Sequence, residues 1–241
     1  MRLDRYLVAN GYFESRNRAA EAISSGSVLI DDKTAKPSQQ VTANSKIEIK
    51  DEKFYVSRAA KKLEQFLKSY PLDLMNKQAL DIGSSTGGFA QIVLESGAVS
   101  LDCVDVGSDQ LHHSLRKHPA ITLHEKTDIR DFKADKRFNL ITCDVSFVSI
   151  LHIVDSINRL KDNKCDIVIL YKPQFEVGRE IKRDSRGVVL NQDVIKQNMD
   201  GFVLSCTELG WQLKYHALSE ISGKEGNQEY IYHFTTGESH E

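Results

Sequence analysis

The run from Ala79 to Phe89 (Ala-Leu-Asp-Ile-Gly-Ser-Ser-Thr-Gly-Gly-Phe) constrains this chain more than any other stretch. A short apolar run carries one acid, Asp81, and stops at Gly83. Gly87 and Gly88 follow, and then a helical pattern begins. The pattern reads as strand, tight glycine turn and helix start. Gly83 offers a backbone conformation that a Cβ would block. Gly87 and Gly88 would let a ligand approach the first helical turn, where free N–H groups point outward.

Spacing separates two ligand classes. Dinucleotide sites favour Gly-x-Gly-x-x-Gly, which lets backbone touch a pyrophosphate. Here the order is Asp-x-Gly-x-x-x-Gly-Gly, with Ser85 where the second dinucleotide glycine would stand. An acid ahead of the turn suits a cationic or amino-bearing ligand better than a pyrophosphate. S-adenosylmethionine (SAM) carries both a sulfonium and an ammonium, so it fits. Candidate cofactor-binding residues are therefore Asp81, Gly83, Ser84, Ser85, Thr86, Gly87, Gly88 and Phe89. Asp105 ends the next apolar run, where α/β folds bind a ribose diol. The competing reading of the motif alone is an ordinary glycine turn in an α/β domain.

Composition narrows the classes. The chain has 241 residues, 40% hydrophobic and 27% charged, which is ordinary for a soluble globular protein. The apolar runs fall short of the roughly 20 residues that span a bilayer. Met1-Arg2-Leu3-Asp4-Arg5 lacks an apolar signal core. The expected location is the cytosol. Cys103, Cys143, Cys165 and Cys206 are widely spaced and read as buried reduced thiols rather than disulfides or a zinc site. The histidines show no metal-ligand spacing. A net charge of −2 does not announce a nucleic-acid partner. Basic groups do cluster locally at Arg2, Arg5, Arg16 and Arg18, and again at Arg58, Lys61, Lys62 and Lys68.

Leu3, Tyr6 and Leu7 recur at helical spacing up to Gly11. Ser15 is a good N-cap for a second helix with Ala19, Ala20 and Ile23 as its buried stripe. Val28–Ile30 reads as a strand, Asp31-Asp32-Lys33 as a turn, and residues 46–50 as a half-buried strand. The product is a compact module of two helices and a small sheet. Arg2-Leu3-Asp4-Arg5-Tyr6-Leu7, Ser15-Arg16-x-x-Ala19 and Ile23-x-x-Gly26-x-Val28-x-Ile30-Asp31 resemble the α-L type RNA-binding domain shared by a small-subunit ribosomal protein, pseudouridine synthases and a tyrosyl-tRNA synthetase group. That resemblance implies that Arg2, Arg5, Arg16 and Arg18 meet RNA backbone, Arg16 and Arg18 from the start of the second helix. The alternative is a helical dimerisation module.

Residues 51–57 read as a polar linker. This divides the chain into a 1–56 α+β RNA-binding domain and a 57–241 catalytic domain. Ser57 caps a helix whose Ala60, Leu63, Phe66 and Leu67 face inward. Strands are expected at 79–82, 100–106, 121–124, 138–143, 165–171, 211–217 and 228–234. Helices are expected at 86–96, 108–117, 148–161 and 191–209. Such alternation predicts an α/β, Rossmann-like, mostly parallel seven-stranded sheet. The last two strands, joined through Gly223 to Gly226, read as an antiparallel hairpin.

Ligands of open α/β sheets sit beyond the carboxyl ends of the strands. Those ends supply Asp81, Asp105, Asp128, Asp144 and Lys172. Asp128 could accept from an adenine amino group. Asp144 and Lys172, at neighbouring strand tips, would either close the sheet edge as an ion pair or form a base poised by partial desolvation.

Ser57-Arg58-x-x-x-Lys62-Leu63, the Gly83–Phe89 turn, Asp144-Val145-Ser146-Phe147, Lys172-Pro173-Gln174-Phe175-Glu176-Val177-Gly178 and Gly226-Asn227-x-Glu229-Tyr230 resemble the TlyA family. Its members, often called hemolysins, are ribosomal RNA cytidine-2′-O-methyltransferases with an FtsJ-like catalytic domain. The resemblance implies a catalytic tetrad at Lys62, Asp144, Lys172 and Glu229, Asp144 also lying in the cofactor site, with Arg58 among the RNA-binding residues. It implies SAM as cofactor, ribosomal RNA or a ribosomal subunit as partner, and cytidines of 23S rRNA, in some members also of 16S rRNA, as targets; no membrane is expected from the short apolar runs, and no metal is needed because a sulfonium is already a good leaving group. Ala59 and Ala60 stand where the family usually has two glycines, so the start of this helix is expected to be stiffer. The 176–190 segment reads as a mobile loop over the RNA site or a disordered surface loop. A pore-forming toxin and a non-catalytic ribosome assembly factor are the competing functions.

Overall fold

The computed structural model describes residues 1–13, 15–24, 26–42, 45–49, 53–178 and 180–237. Asp51 and Glu52 of the expected linker, and Arg179 of the 176–190 segment, lie outside the described residues. The chain divides into two compact units, Met1–Phe54 and Tyr55–Glu241.

In the smaller unit, α1 (Leu3–Ala9) packs with α2 (Arg16–Ser24) over a three-stranded antiparallel sheet of β1 (Val28–Ile30), β2 (Lys33–Thr34) and β3 (Ile47–Ile49), in the order β2-β1-β3. Leu3, Leu7, Ala19, Ile23, Val28 and Ile30 form its core. Ser15 Oγ accepts from the Arg18 N–H at 3.3 Å, as an N-cap does. Lys33 does not belong to the turn. Asp31 and Asp32, both left-handed (φ 52° and 62°), form a two-residue hairpin loop that returns Lys33 to pair with Ile30.

The larger unit opens with α3 (Arg58–Ser69) and continues as β4 (Gln78–Ile82), α4 (Gly88–Glu95), β5 (Ser100–Val104), α5 (His113–Arg116), β6 (Ile121–His124) and β7 (Phe138–Cys143). It then runs through a 3₁₀ turn (Ile150–His152), α6 (Val154–Leu160), β8 (Lys161–Tyr171), α7 (Pro173–Glu176), α8 (Gln192–Glu208), β9 (Gln212–Leu218) and β10 (Tyr230–Thr235). The sheet order is β6-β5-β4-β7-β8-β10-β9. β10 runs antiparallel between β8 and β9, and the other pairs are parallel. The fold is thus the mostly parallel seven-stranded Rossmann-like sheet, reversed at one end.

Alternating side chains of these strands fill two cores, one on each face. Ala79, Leu101, Leu140 and Val168 pack under α3 and α4 with Ala60, Leu63 and Phe89. Leu80, Ile141, Ile167 and Phe234 pack with Ile157, Phe202 and Trp211 on the other face.

Three expected elements differ. The 108–117 helix shrinks to His113–Arg116, because residues 105–111 serve the glycine turn instead. Asp109 is left-handed (φ 57°), and Gln110 Oε1 accepts from Ser85 Oγ at 3.1 Å. The 148–161 helix breaks at Ile153 into a Ser149-capped 3₁₀ turn and α6. Tyr55 and Val56, read as linker, are stitched to the larger unit. The Tyr55 hydroxyl donates to Glu64 at 2.6 Å, and the Val56 N–H donates to Gln91 Oε1 at 2.9 Å.

Candidate active site

The turn after β4 is built from left-handed residues: Gly83 (φ 74°), Ser85 (φ 45°) and Gly87 (φ 91°). Gly83 N donates to Val104 O at 2.9 Å. A Cβ on Gly83 would lie 2.7 Å from the Asp144 carbonyl oxygen and 3.0 Å from Val145 Cγ1, so both φ and space require glycine there. The other two glycines also have a packing role. What comes close to them is protein. A Cβ on Gly87 would strike Leu115 and Leu111, and one on Gly88 would lie 2.8 Å from both Ala59 Cβ and Ala60 N. The pair lets α3 and the 111–115 segment close on the start of α4. The Ala59 methyl and the Ala60 backbone nitrogen stand against Gly88.

Asp81 is fully buried at the end of β4. Its Oδ1 accepts from Thr142 Oγ1 at 2.7 Å, and Oδ2 has no partner. Burial pushes this carboxyl up to about 7, against the Thr142 hydrogen bond and with help from the neighbouring Asp144 charge. A buried carboxylate with an orphaned oxygen is set to meet a cation or donor not supplied by the fold.

Two lysine–carboxylate pairs share one cavity of about 700 Å³ with Asp81 and the glycine turn. Lys172 follows β8, and its Nζ lies 2.5 Å from Asp144 Oδ1 and 2.9 Å from Ser146 Oγ. Lys62 reaches the cavity from α3 and pairs with Glu229 Oε2, on the loop ahead of β10. The Lys62 and Glu229 side chains are 7% and 4% exposed, so this pair is the more deeply buried. Its members come from positions 167 residues apart in sequence, joined because β10 pairs with β8 and sets Tyr230 opposite Tyr171. Arg58 lines the same cavity, as do Ser84, Ser85, Thr86 and Phe89.

A second cavity of about 390 Å³ meets the first at Gly83, Ser85, Asp144, Ser146 and Phe147. Asp105 and Asp128 line it with Val106, Ile129 and Arg130. Asp105 braces the turn, accepting from Ser85 N at 2.8 Å and from Gly107 N at 2.7 Å. Asp128 accepts from Arg130 at 2.9 Å on Oδ1 and 2.6 Å on Oδ2, and those hydrogen bonds hold its carboxyl below the usual range. Of the expected cofactor residues, Gly87 alone lines neither cavity.

The sequence reading did not single out Gln174, Phe147 or Asn227 as site residues, although each sits in a quoted motif. Gln174 Nε2 donates to Glu229 Oε1 at 3.3 Å. Phe147 is 91% exposed, left-handed (φ 67°), and 5.1 Å from the Phe175 ring. Asn227 ties the 176–190 segment down: its Oδ1 accepts from Val189 N at 3.1 Å, and its Nδ2 donates to Gly187 O. Val177 and Val189 bury with Ile195, and Glu176 accepts from Ser149 Oγ at 2.6 Å and Ile150 N at 3.0 Å. The described part of that segment is a loop with apolar anchors at Val177 and Val189. Its anchors, spaced twelve residues apart, carry no periodicity that sequence reading could use.

In the smaller unit, buried Asp4 gathers two of the expected RNA-binding arginines. Arg2 donates to both its oxygens at 3.1 and 3.0 Å, and Arg16 donates to Oδ2 at 2.9 Å. These hydrogen bonds hold the Asp4 carboxyl far below the usual range. Arg18 pairs with Glu21 and lies over the Phe54 ring, and Arg5 is exposed.

Residues 55–236 match the FtsJ-like methyltransferase family, and residues 1–47 match the S4 domain. The chain is 43% identical to a 23S rRNA (cytidine-2′-O)-methyltransferase, TlyA, of Campylobacter jejuni, covering 97% of this chain and 99% of that protein. It is 34% identical to a 16S/23S rRNA (cytidine-2′-O)-methyltransferase of Mycobacterium tuberculosis, covering 95% and 88%. A solved structure from Streptococcus thermophilus, provisionally called a hemolysin, superposes with a TM-score of 0.74 at 29% identity, covering 99% of this chain and 89% of that one.

Proposed function

The chain belongs to the TlyA family of FtsJ-like methyltransferases, and from that premise we propose that it transfers a methyl group from SAM to the ribose 2′-hydroxyl of cytidine in ribosomal RNA, with 23S rRNA the first substrate to test and 16S rRNA the second. The observation that carries this reading is the convergence of Lys62, Glu229, Lys172 and Asp144 on the cavity that also holds Asp81 and the glycine turn.

The cavities fit the cofactor on three counts. The orphaned oxygen of Asp81 suits an ammonium or sulfonium. The Gly83 turn leaves Ser84, Ser85 and Thr86 on the cavity wall. Asp105 and Asp128 line the adjoining cavity, where a ribose and an adenine would sit. Bound there, SAM supplies an electrophilic methyl carbon and a neutral sulfide leaving group.

This chain's own residues must align the attacking oxygen and manage its proton. As the new O–C bond forms, the hydroxyl proton leaves. The unprotonated Lys172 amine receives it while the sulfonium S–C bond breaks, and Asp144 and Ser146 hold the ammonium so formed. Lys62 steadies the ribose oxygen from the opposite pair, and Glu229 fixes Lys62. The Lys-Asp-Lys-Glu set also argues against a binding protein that has lost its activity. Arg2, Arg5, Arg16, Arg18 and Arg58 serve RNA backbone in this reading, and an rRNA substrate puts the enzyme with ribosomes in the cytosol.

A pore-forming reading gains nothing from the fold: among the described residues, no helix is long and apolar enough to cross a membrane. The test is a 2′-O-methyl map of rRNA from cells with and without the gene. Loss of methylated cytidines on deletion supports the reading, and identical maps overturn it.

A further inference from the structure

Between the two ion pairs stands one amide. Lys172 belongs to the Asp144 pair, and Gln174, two residues on and inside α7, donates to Glu229 of the Lys62 pair at 3.3 Å. A carboxylate only accepts, so the amide must present its N–H to Glu229. Glu229 then has both oxygens engaged: Oε2 by Lys62 and Oε1 by Gln174. Gln174 Oε1 is buried with no partner, so the amide is not a packing element satisfied at both ends. Pro173 at the first position of α7 sets the approach of Gln174 relative to Lys172, because its φ is fixed near −65°.

We propose that Gln174 is a positioning residue: by holding Glu229 it fixes Lys62, and it ties the geometry of that pair to the strand end that carries Lys172. The proposal rests on the methyltransferase reading above. Its energetic basis is the angular freedom of a lone Lys–Glu contact. With one oxygen free, a carboxylate can rotate and carry the ammonium with it. A second donor removes that rotation, and a misplacement of about 1 Å is enough to slow a positioned reaction by up to about a hundredfold.

The experiment uses the full-length protein, and Gln174→Met keeps the shape while removing the donor. We expect kcat for methyl transfer to rRNA to fall at least about tenfold, with KM for rRNA, SAM affinity by calorimetry and melting temperature close to wild type. A second measurement repeats Gln174→Met in a Glu229→Asp background, where the shorter carboxylate has left the amide's reach. There the same substitution should cost less than twofold. Wild-type kcat in Gln174→Met overturns the proposal. So does equal loss in both backgrounds, or a fall in kcat matched by lost SAM affinity and lost melting temperature, since those mark a packing role. Failure of the wild-type protein to bind SAM or methylate rRNA would instead overturn the underlying functional reading.

Discussion

Lys172 Nζ lies 2.5 Å from Asp144 Oδ1 and 2.9 Å from Ser146 Oγ, so one lysine at the tip of β8 grips two residues of the segment leaving β7. The contact follows from parallel pairing, which sets Cys143 beside Ile169 and brings both strand ends to one edge. Lys172→Ala should therefore reduce methyl transfer by at least about a hundredfold, while calorimetric SAM affinity stays within a few-fold. Wild-type turnover would remove Lys172 from the chemistry.

Asp81 makes a prediction about pH. Its carboxyl ordinarily titrates near 3.8 and is pushed up to about 7 by burial. Between those values the folded protein keeps a proton that the unfolded chain has lost. The contribution of this group to stability is full below about pH 4 and is lost as pH rises through 7. Asp81→Asn, which cannot ionise, should lose less stability than wild type between pH 5 and pH 8 in urea unfolding. Parallel declines would refute the assignment. A cation bound at the orphaned oxygen should also release a proton near pH 6, which calorimetry in buffers of different ionisation enthalpy would detect and which the variant should lack.

Gly88→Ala places a methyl 2.8 Å from Ala59 Cβ and Ala60 N, with Ser57 closer still. Overpacking between two helix starts should cost about 1–3 kcal/mol, read as a lower urea midpoint at unchanged slope. An unaltered midpoint would mean that α3 yields easily there.

Asp4 offers a test that separates organisation from charge. Deleting an acid from a basic surface raises affinity for RNA if electrostatics alone decides. If Asp4 works by aiming Arg2 and Arg16, Asp4→Ala should weaken rRNA binding, and the salt dependence of binding should flatten. Tighter binding by the variant would show that the arginines need no such frame.

The strand ends were legible because period and punctuation coincide there. The Ala79–Gly83 run, Asp144 after a six-residue strand and Lys172 before a proline all announce themselves in sequence. Local steric demands were less so. Gly87 and Gly88 read as a ligand-binding turn in sequence, but that they also make room for Leu111, Leu115 and Ala59 is something no local pattern encodes. The 108–117 stretch has helical composition, but Gln110 and Leu111 are claimed by the glycine turn, and tertiary demand overrides propensity. Glu229 was reachable only by resemblance, because its partner Lys62 lies on an element from the other end of the unit. Gln174 was missed for the same reason: its side-chain hydrogen bond to Glu229 spans 55 residues.

The most direct measurement follows labelled methyl groups from SAM into rRNA with purified protein, digests the RNA and identifies the nucleoside by mass spectrometry. The account predicts label in 2′-O-methylcytidine with wild-type protein and none with Lys172→Ala. Label on a base, on another nucleoside, or undiminished label from the variant would contradict it.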